Sequence, residues 1–300
     1  MKQLNAVVTG AGGLLSHALL RRLEREPTGN PGNPGNRVVW RVSSLSRADL
    51  DVTDRRRVDR VLESLAPDVV FHCAAYTAVD KAESDEAEAH LVNGAGTQNV
   101  ADRCAQLGAL LVYPSTDFVF GGTQRRPYLV DYAPDPINAY GRSKLAGEVA
   151  VLSSGVRHLI ARTSWLYGAG GNHFVDTMIR LGRVRPRLSV VDDQVGRPTW
   201  TNDLANDLVD LVEDGAQGTF HVAGGGSATW FQLAEEALRL AGVEVEVEPV
   251  TTEAFGAPAP RPAYSVLDVS ATEKRLGREM SDWRTSLRAY LTGARKVSTE

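Results

Sequence analysis

Cysteine is almost missing from this chain: Cys73 and Cys104 are the two in 300 residues. That excludes a disulfide framework, and two thiols in apolar surroundings suit a reducing cytoplasm. Lysine is scarce as well, five against 28 arginines, so a lysine at a chemically pointed position is hard to dismiss as background. No apolar run reaches 18 residues, so no membrane-spanning helix is expected. The N-terminus has no basic segment followed by a long apolar stretch, so no secretory signal is expected either. Charge of one sign is not in excess. A net charge of −4 and a pI near 5.9 speak against nucleic acid and against a membrane surface as partners. The histidines at 17, 72, 90, 158, 173 and 221 are dispersed without metal-ligand spacing and read as structural.

What is present is an alternation of strand-like and helical runs. Residues 4–9 read as a short buried strand, and a glycine-rich turn leads into a helical run from His17 to Leu23. Further strands are expected at 37–42, 67–73, 109–113, 157–162, 188–191 and 219–222. A helix opens near 50–54 with Thr53 or Asp54 as its cap, and 88–107 is mainly helical. Strands alternating with helices argue for an α/β fold with a doubly wound parallel (Rossmann) sheet. The second half changes character. Helical segments at 165–184 and 228–241 are followed by an alternating strand at 244–248 and a stiff Pro-rich loop at 257–262. We expect a dinucleotide-binding domain over 1–164, with later strands between 188 and 224 added to its sheet. A smaller C-terminal substrate-binding region takes 165–187 and 225–300. The loop at 26–36 repeats Asn-Pro-Gly and carries no assigned function.

Three local motifs carry chemistry. The first is Gly10-Ala11-Gly12-Gly13-Leu14-Leu15-Ser16, between the first strand and the first helix. Such a turn lets a pyrophosphate approach the backbone and sit on the helix N-terminus. Serine at 16 stands where a third glycine is usual, and it is small enough to keep helix and strand close. The second is Tyr113-Pro114-Ser115-Thr116-Asp117, just past an apolar strand, where polar residues face the ligand crevice of a parallel sheet. Alone it reads equally well as a turn. The third is Tyr140-Gly141-Arg142-Ser143-Lys144, which sets a phenol and an ammonium on one helix face. A cation at about 4 Å is expected to draw the phenol down from its usual pKa near 10, toward the range in which it protonates a carbonyl oxygen during a reduction. Thr116 is then placed to donate to that same oxygen. For the cofactor, a site preferring NAD has a carboxylate after the second strand. Here that strand ends Arg41-Val42-Ser43-Ser44, and Arg41 or Arg47 could meet a 2′-phosphate, which favours NADPH with NADH left open. Asp51 and Val52 either border the adenine or simply open the next helix.

Taken together, these stretches resemble the extended short-chain dehydrogenases, and more narrowly the dTDP-4-dehydrorhamnose reductase family. The likeness continues through Ala74-Ala75-Tyr76-Thr77-Ala78-Val79-Asp80, Arg162-Thr163-Ser164-Trp165-Leu166-Tyr167-Gly168, Asp192-Asp193-Gln194-Val195-Gly196-Arg197-Pro198-Thr199 and Arg261-Pro262-Ala263-Tyr264. It covers nearly the whole chain. The resemblance implies Thr116, Tyr140 and Lys144 as the catalytic trio, reducing the C4 ketone of a dTDP-4-keto-6-deoxyhexose. It implies Asp117 and Trp165 against the sugar, and Arg197 near the nucleotide diphosphate. Gly10, Gly13, Leu14, Leu15, Ala74, Ala75, Tyr76 and Asn93 would line the cofactor, with Tyr140 and Lys144. Such enzymes are monomers or homodimers and often need Mg²⁺, for which this sequence names no ligands.

The chain departs from the family at Phe118, usually tyrosine, and at Gly121-Gly122, which lack an acid common there. A related 4-ketoreductase of an antibiotic sugar pathway, such as one making dihydrostreptose, therefore fits as well. A 4,6-dehydratase would need a second acid where Phe118 stands. A non-catalytic regulatory subunit, like the partner of methionine adenosyltransferase, would tend to have lost the Tyr/Lys pair.

Overall fold

The computed structural model describes residues 2–25 and 38–297. The Asn-Pro-Gly loop at 26–36 and the expected strand start at Arg37 lie outside the described residues. Strand β1 (Lys2–Thr9) leads through the glycine turn into α1 (Leu14–Leu23), then β2 (Val38–Leu45). Asp54 caps α2 (Arg55–Leu65) by accepting from the Arg57 backbone N–H at 3.1 Å, and β3 (Val69–His72) follows, buried along its length. Two short helices, α3 (Val79–Ala82) and α4 (Glu86–His90), run through a π-helical turn at Leu91–Gly96 into α5 (Thr97–Leu107). Then come β4 (Leu110–Thr116), α6 (Ala139–Ser153) and β5 (His158–Thr163).

The remaining chain supplies β6 (Leu166–Tyr167), α7 (Phe174–Gly182), β7 (Arg187–Val191), β8 (Val195–Gly196), β9 (Thr199–Trp200), α8 (Thr201–Glu213) and β10 (Gly218–His221). Next are β11 (Ala228–Thr229), α9 (Trp230–Ala241), β12 (Glu246–Val250), α10 (Thr252–Phe255), α11 (Ser270–Leu276) and α12 (Trp283–Val297). Helix α9 starts with a full capping box between Thr229 and Gln232 and stops at Gly242, where φ is +67°.

Six strands form one parallel sheet in the order β10-β5-β4-β3-β1-β2. Because side chains alternate across a strand, its two faces feed two cores. Ala6, Val8, Phe71, Val112 and Leu159 pack with Leu19 of α1 and Leu208 of α8. Val7, Val70, Leu111 and Ile160 pack with Leu62 of α2, Cys104 of α5 and Val151 of α6. Each large apolar side chain so buried stabilises the fold by roughly 1.5–3 kcal/mol. The chain steps outward in both directions from the β1/β3 boundary. That is the switch point where open parallel sheets leave a crevice at their carboxyl ends. The glycine turn, residues 73–75, Thr116–Asp117 and Ser164–Trp165 all leave the sheet at that edge.

Two expectations are corrected. Strand β7 does not join the central sheet; it pairs in parallel with β12 as a separate two-stranded ribbon. Its apolar residues Leu188 and Val190 are needed against Ala234 and Leu238 of α9. The stretch from Trp165 is not helical from its start. Leu166–Tyr167 pairs with β9, and Gly168 and Gly170 have positive φ, so the helix begins only at Phe174.

Candidate active site

Helix α6 carries the Tyr-x-x-x-Lys pair, and its start is fixed from two sides. The Asn138 side chain accepts from the Gly141 backbone N–H at 2.7 Å and donates to the Pro260 carbonyl at 2.9 Å. The helix lies hard against β4. A methyl at Gly141 would come within 2.2 Å of the Phe118 carbonyl oxygen, and one at Gly147 within 2.0 Å of the Tyr113 hydroxyl. Glycine at both places is what lets Tyr140 and Lys144 face Thr116 and Asp117 across the crevice.

These residues line one cavity of about 710 Å³, in the size range of small-molecule sites. Its walls also include Gly10, Gly13, Leu14, Leu15, Ala74 and Ala75, and on the far side Trp165. Phe118 packs its ring edge-to-face on Tyr140, centroids 6.0 Å apart. Thr116 Oγ1 donates to Asp117 at 3.1 Å, and Ser265 also donates to the Asp117 carboxylate. Burial pushes Asp117 up to about 7, against hydrogen bonds from Ser265 and Thr116 that pull it down.

The expected acidification of Tyr140 is corrected by this geometry. Burial pushes the phenol up to about 12; the hydrogen bond with Thr116 offsets part of this, and the Asp117 charge adds to it. The Lys144 ammonium donates instead to the Pro114 carbonyl at 2.7 Å and stands 4.0 Å above the Tyr113 ring. Burial brings Lys144 down to about 7, opposed chiefly by the Glu148 carboxylate. Glu148 is itself paired with buried Arg162 at 2.8 Å and accepts from Ser115. At neutral pH Tyr140 is thus a protonated donor on the cavity wall.

The glycine turn fits a dinucleotide. Gly10 has φ +69°, and a Cβ there would sit 2.6 Å from the Ala74 backbone nitrogen, so only glycine fits. Gly13 forms the start of α1 with no side-chain cap, leaving the first N–H groups free for an anion. Ser16 does more than stay small: its hydroxyl donates to the Gly10 and Gly13 carbonyls, each at 2.9 Å, and closes the turn from inside. The Ala11 N–H bonds the Leu45 carbonyl, so β2 ends beside the turn. Arg47, just beyond, is exposed and loosely paired with Asp51 and Glu88. Arg41 is corrected: it pairs with Asn5 in mid-strand, four residues short of that end.

Other sequence-named residues lie behind the cavity rather than on it. Asn93 is buried; its amide accepts from the Tyr76 N–H and donates to the Tyr76 carbonyl and the Ser143 hydroxyl. It braces the 74–76 loop against α6, while the Tyr76 hydroxyl turns away to Asp85. Val52 is buried under Gly96, and Asp51 accepts from the Thr53 N–H and hydroxyl. Arg197 is also corrected. Its guanidinium is consumed by the carbonyls of Leu267, Gly224 and Gly226, so its fork ties loops together outside the cavity. The side chains that sequence reasoning missed are Trp230, Thr163 and the guanidinium of Arg261 on the cavity wall. Thr163 Oγ1 is buried there without a hydrogen-bond partner. Arg261 is held by Asp80 at 2.9 Å. No sequence periodicity distinguishes these from ordinary loop and helix residues.

Among the described residues, no group of three or more His, Cys, Asp or Glu side chains is placed to hold a metal ion. No described helix is long and apolar enough to cross a membrane.

Comparison with known proteins agrees with this geometry. The model of the RmlD substrate binding domain matches residues 4–296. The chain is 42% identical to a dTDP-4-keto-6-deoxy-D-glucose reductase of Streptomyces niveus over 94% of both chains. It is also 42% identical to a dTDP-4-dehydrorhamnose reductase of Streptomyces griseus, covering 94% of this chain and 91% of that one. Among solved structures it is similar to dTDP-4-dehydrorhamnose reductase from Bacillus anthracis in complex with NADP. There the TM-score is 0.89 and the identity 39%, covering 98% of this chain and 100% of that one.

Proposed function

The chain belongs to the RmlD substrate binding domain family, and from that premise we propose that it reduces the C4 ketone of a dTDP-4-keto-6-deoxyhexose with NADPH. It is an oxidoreductase acting on a sugar nucleotide. The observation that carries the reading is the convergence of Thr116, Tyr140 and Lys144 on the cavity that also receives the uncapped start of α1. Reduced nicotinamide, when bound, supplies the hydride. The residues of this chain do the rest. The N–H groups of Leu14 and Leu15 at the start of α1 would hold the pyrophosphate. Arg47, beside the end of β2, is exposed and would leave its loose pairs with Asp51 and Glu88 to meet the 2′-phosphate. Lys144 holds the nicotinamide-side ribose. Thr116 orients the ketone, and Tyr140 hands its proton to the oxygen as charge develops there. Asp117 and Trp165 bound the sugar.

A reductase of an antibiotic sugar remains a close second reading. Phe118 leaves the pocket without the usual hydroxyl, and the relative from Streptomyces niveus is named a dTDP-4-keto-6-deoxy-D-glucose reductase rather than a dehydrorhamnose reductase. Elimination chemistry is disfavoured, because Phe118 fills the place of a second acid and packs on Tyr140. A purely regulatory role is disfavoured by the intact trio.

The test supplies dTDP-4-keto-6-deoxyglucose and its 3,5-epimer separately and follows NADPH oxidation. Turnover with either supports the reading, and the better of the two names the sugar. NADPH binding without turnover of either would sink it.

A further inference from the structure

Trp165 is held in a conformation it would not choose. Its φ is +49°, one of two positive values at non-glycine residues among those described, and a bulky side chain adopts that region only where its surroundings impose it. The surroundings are specific. The Trp230 indole lies flat on the Trp165 indole, centroids 3.6 Å apart and planes within 5°. A fully overlapped sandwich is not the arrangement two aromatic rings prefer, so this one is held from outside. Trp230 Nε1 donates to Gln194 Oε1 at 3.1 Å, and Gln194 Nε2 donates to Thr252 Oγ1 at 2.9 Å. The Thr252 N–H in turn bonds the Asp193 carboxylate at 2.9 Å. Gly196 closes the clamp: a Cβ there would lie 2.4 Å from the Trp165 ring.

We propose that Trp230 is a positioning residue of the sugar subsite, setting the Trp165 indole as its wall through the stack and the Gln194 tether. Trp230 comes from the start of α9 and Trp165 from the loop after β5. Helix α9 thereby shapes a wall whose backbone directly follows β5 of the central sheet. The proposal deepens the reading of Trp165 as a sugar contact and rests on it.

The experiment compares Trp230→Ala, Trp230→Phe and Gly196→Ala with the parent protein. Titration calorimetry measures dTDP-glucose and, as the control without a sugar, dTDP. Trp230→Ala is expected to weaken dTDP-glucose about tenfold while dTDP stays within about twofold. Trp230→Phe is expected to restore most of the loss. Gly196→Ala, which displaces the indole from the opposite side, should match Trp230→Ala and decides the matter if that variant does not fold. The excitonic circular-dichroism signal of two stacked indoles should vanish in Trp230→Ala. Unchanged dTDP-glucose affinity in the folded variants, or an equal loss of dTDP, overturns the proposal. A parent protein that shows the stacked-indole signal and the sugar-selective effect yet turns over neither keto sugar would overturn the reductase reading alone.

Discussion

Tyr140 enters the cavity as a phenol that burial keeps protonated, and Lys144 as an amine that burial brings toward neutrality. Removing the phenol hydroxyl removes the donor. Tyr140→Phe is expected to lower kcat by about 10²–10⁴ with NADPH affinity unchanged by calorimetry; a rate near the parent's would remove Tyr140 as the acid. Asp117 provides the pH signature. Its native value, about 7, lies above the ordinary 3.8, so between those values the folded protein binds more protons than the unfolded chain. Its stabilising contribution is complete below about pH 4 and is lost as pH rises toward 7. Relative to Asp117→Asn, the parent should lose stability across that window, by at most about 4 kcal/mol at about 1.4 per unit. Denaturant titrations at pH 4.5 and 7.5 measure the difference, and a constant gap would contradict it.

At the scale of elements, the site depends on how closely α6 lies on β4. Gly147 is the tightest point, where a methyl would meet the Tyr113 hydroxyl and the Asn93 carbonyl oxygen at 2.0 and 2.5 Å. Gly147→Ala should cost about 2–3 kcal/mol and lower kcat by displacing Tyr140 and Lys144. Gly155, where a Cβ meets nothing within 4 Å, is a useful contrast: Gly155→Ala should cost only the strain of its positive φ and leave kcat alone. Asn138 caps α6 and ties it to the 257–262 loop. Asn138→Ala should cost about 1–2 kcal/mol, read as a fall in Tm. Neither dependence shows in local sequence. The motif that names Tyr140 says nothing of the carbonyl oxygen beneath Gly141.

Across the whole molecule, a charged clasp joins α1, α8 and the turn after α11. Arg278 reaches Asp207 at 2.6 Å and Asp210 at 3.1 Å, and Arg22 reaches Asp210 at 3.1 Å. Burial raises Asp207 to about 6 against the pull of Arg278. Arg278→Ala leaves a buried carboxylate without its partner, at a cost of about 3 kcal/mol near pH 8. The deficit should shrink toward pH 5, where Asp207 takes up a proton. Thermal unfolding at both pH values checks this, and an equal deficit would mean that Asp207 stays charged throughout.

Local composition and spacing sufficed for the parallel sheet, the glycine turn after β1 and the placement of Thr116 and Tyr140 at its carboxyl edge. Each depends on short-range rules: alternating burial in strands, the backbone freedom of Gly10, one helical turn between Tyr140 and Lys144. What Lys144 bonds, where Arg197 points, which ribbon β7 joins and what stacks on Trp165 were decided only by the packed chain. In each case the partner lies 27 or more residues away, and side-chain direction and burial, which set charge state and hydrogen bonding, come into being only when those distant segments meet.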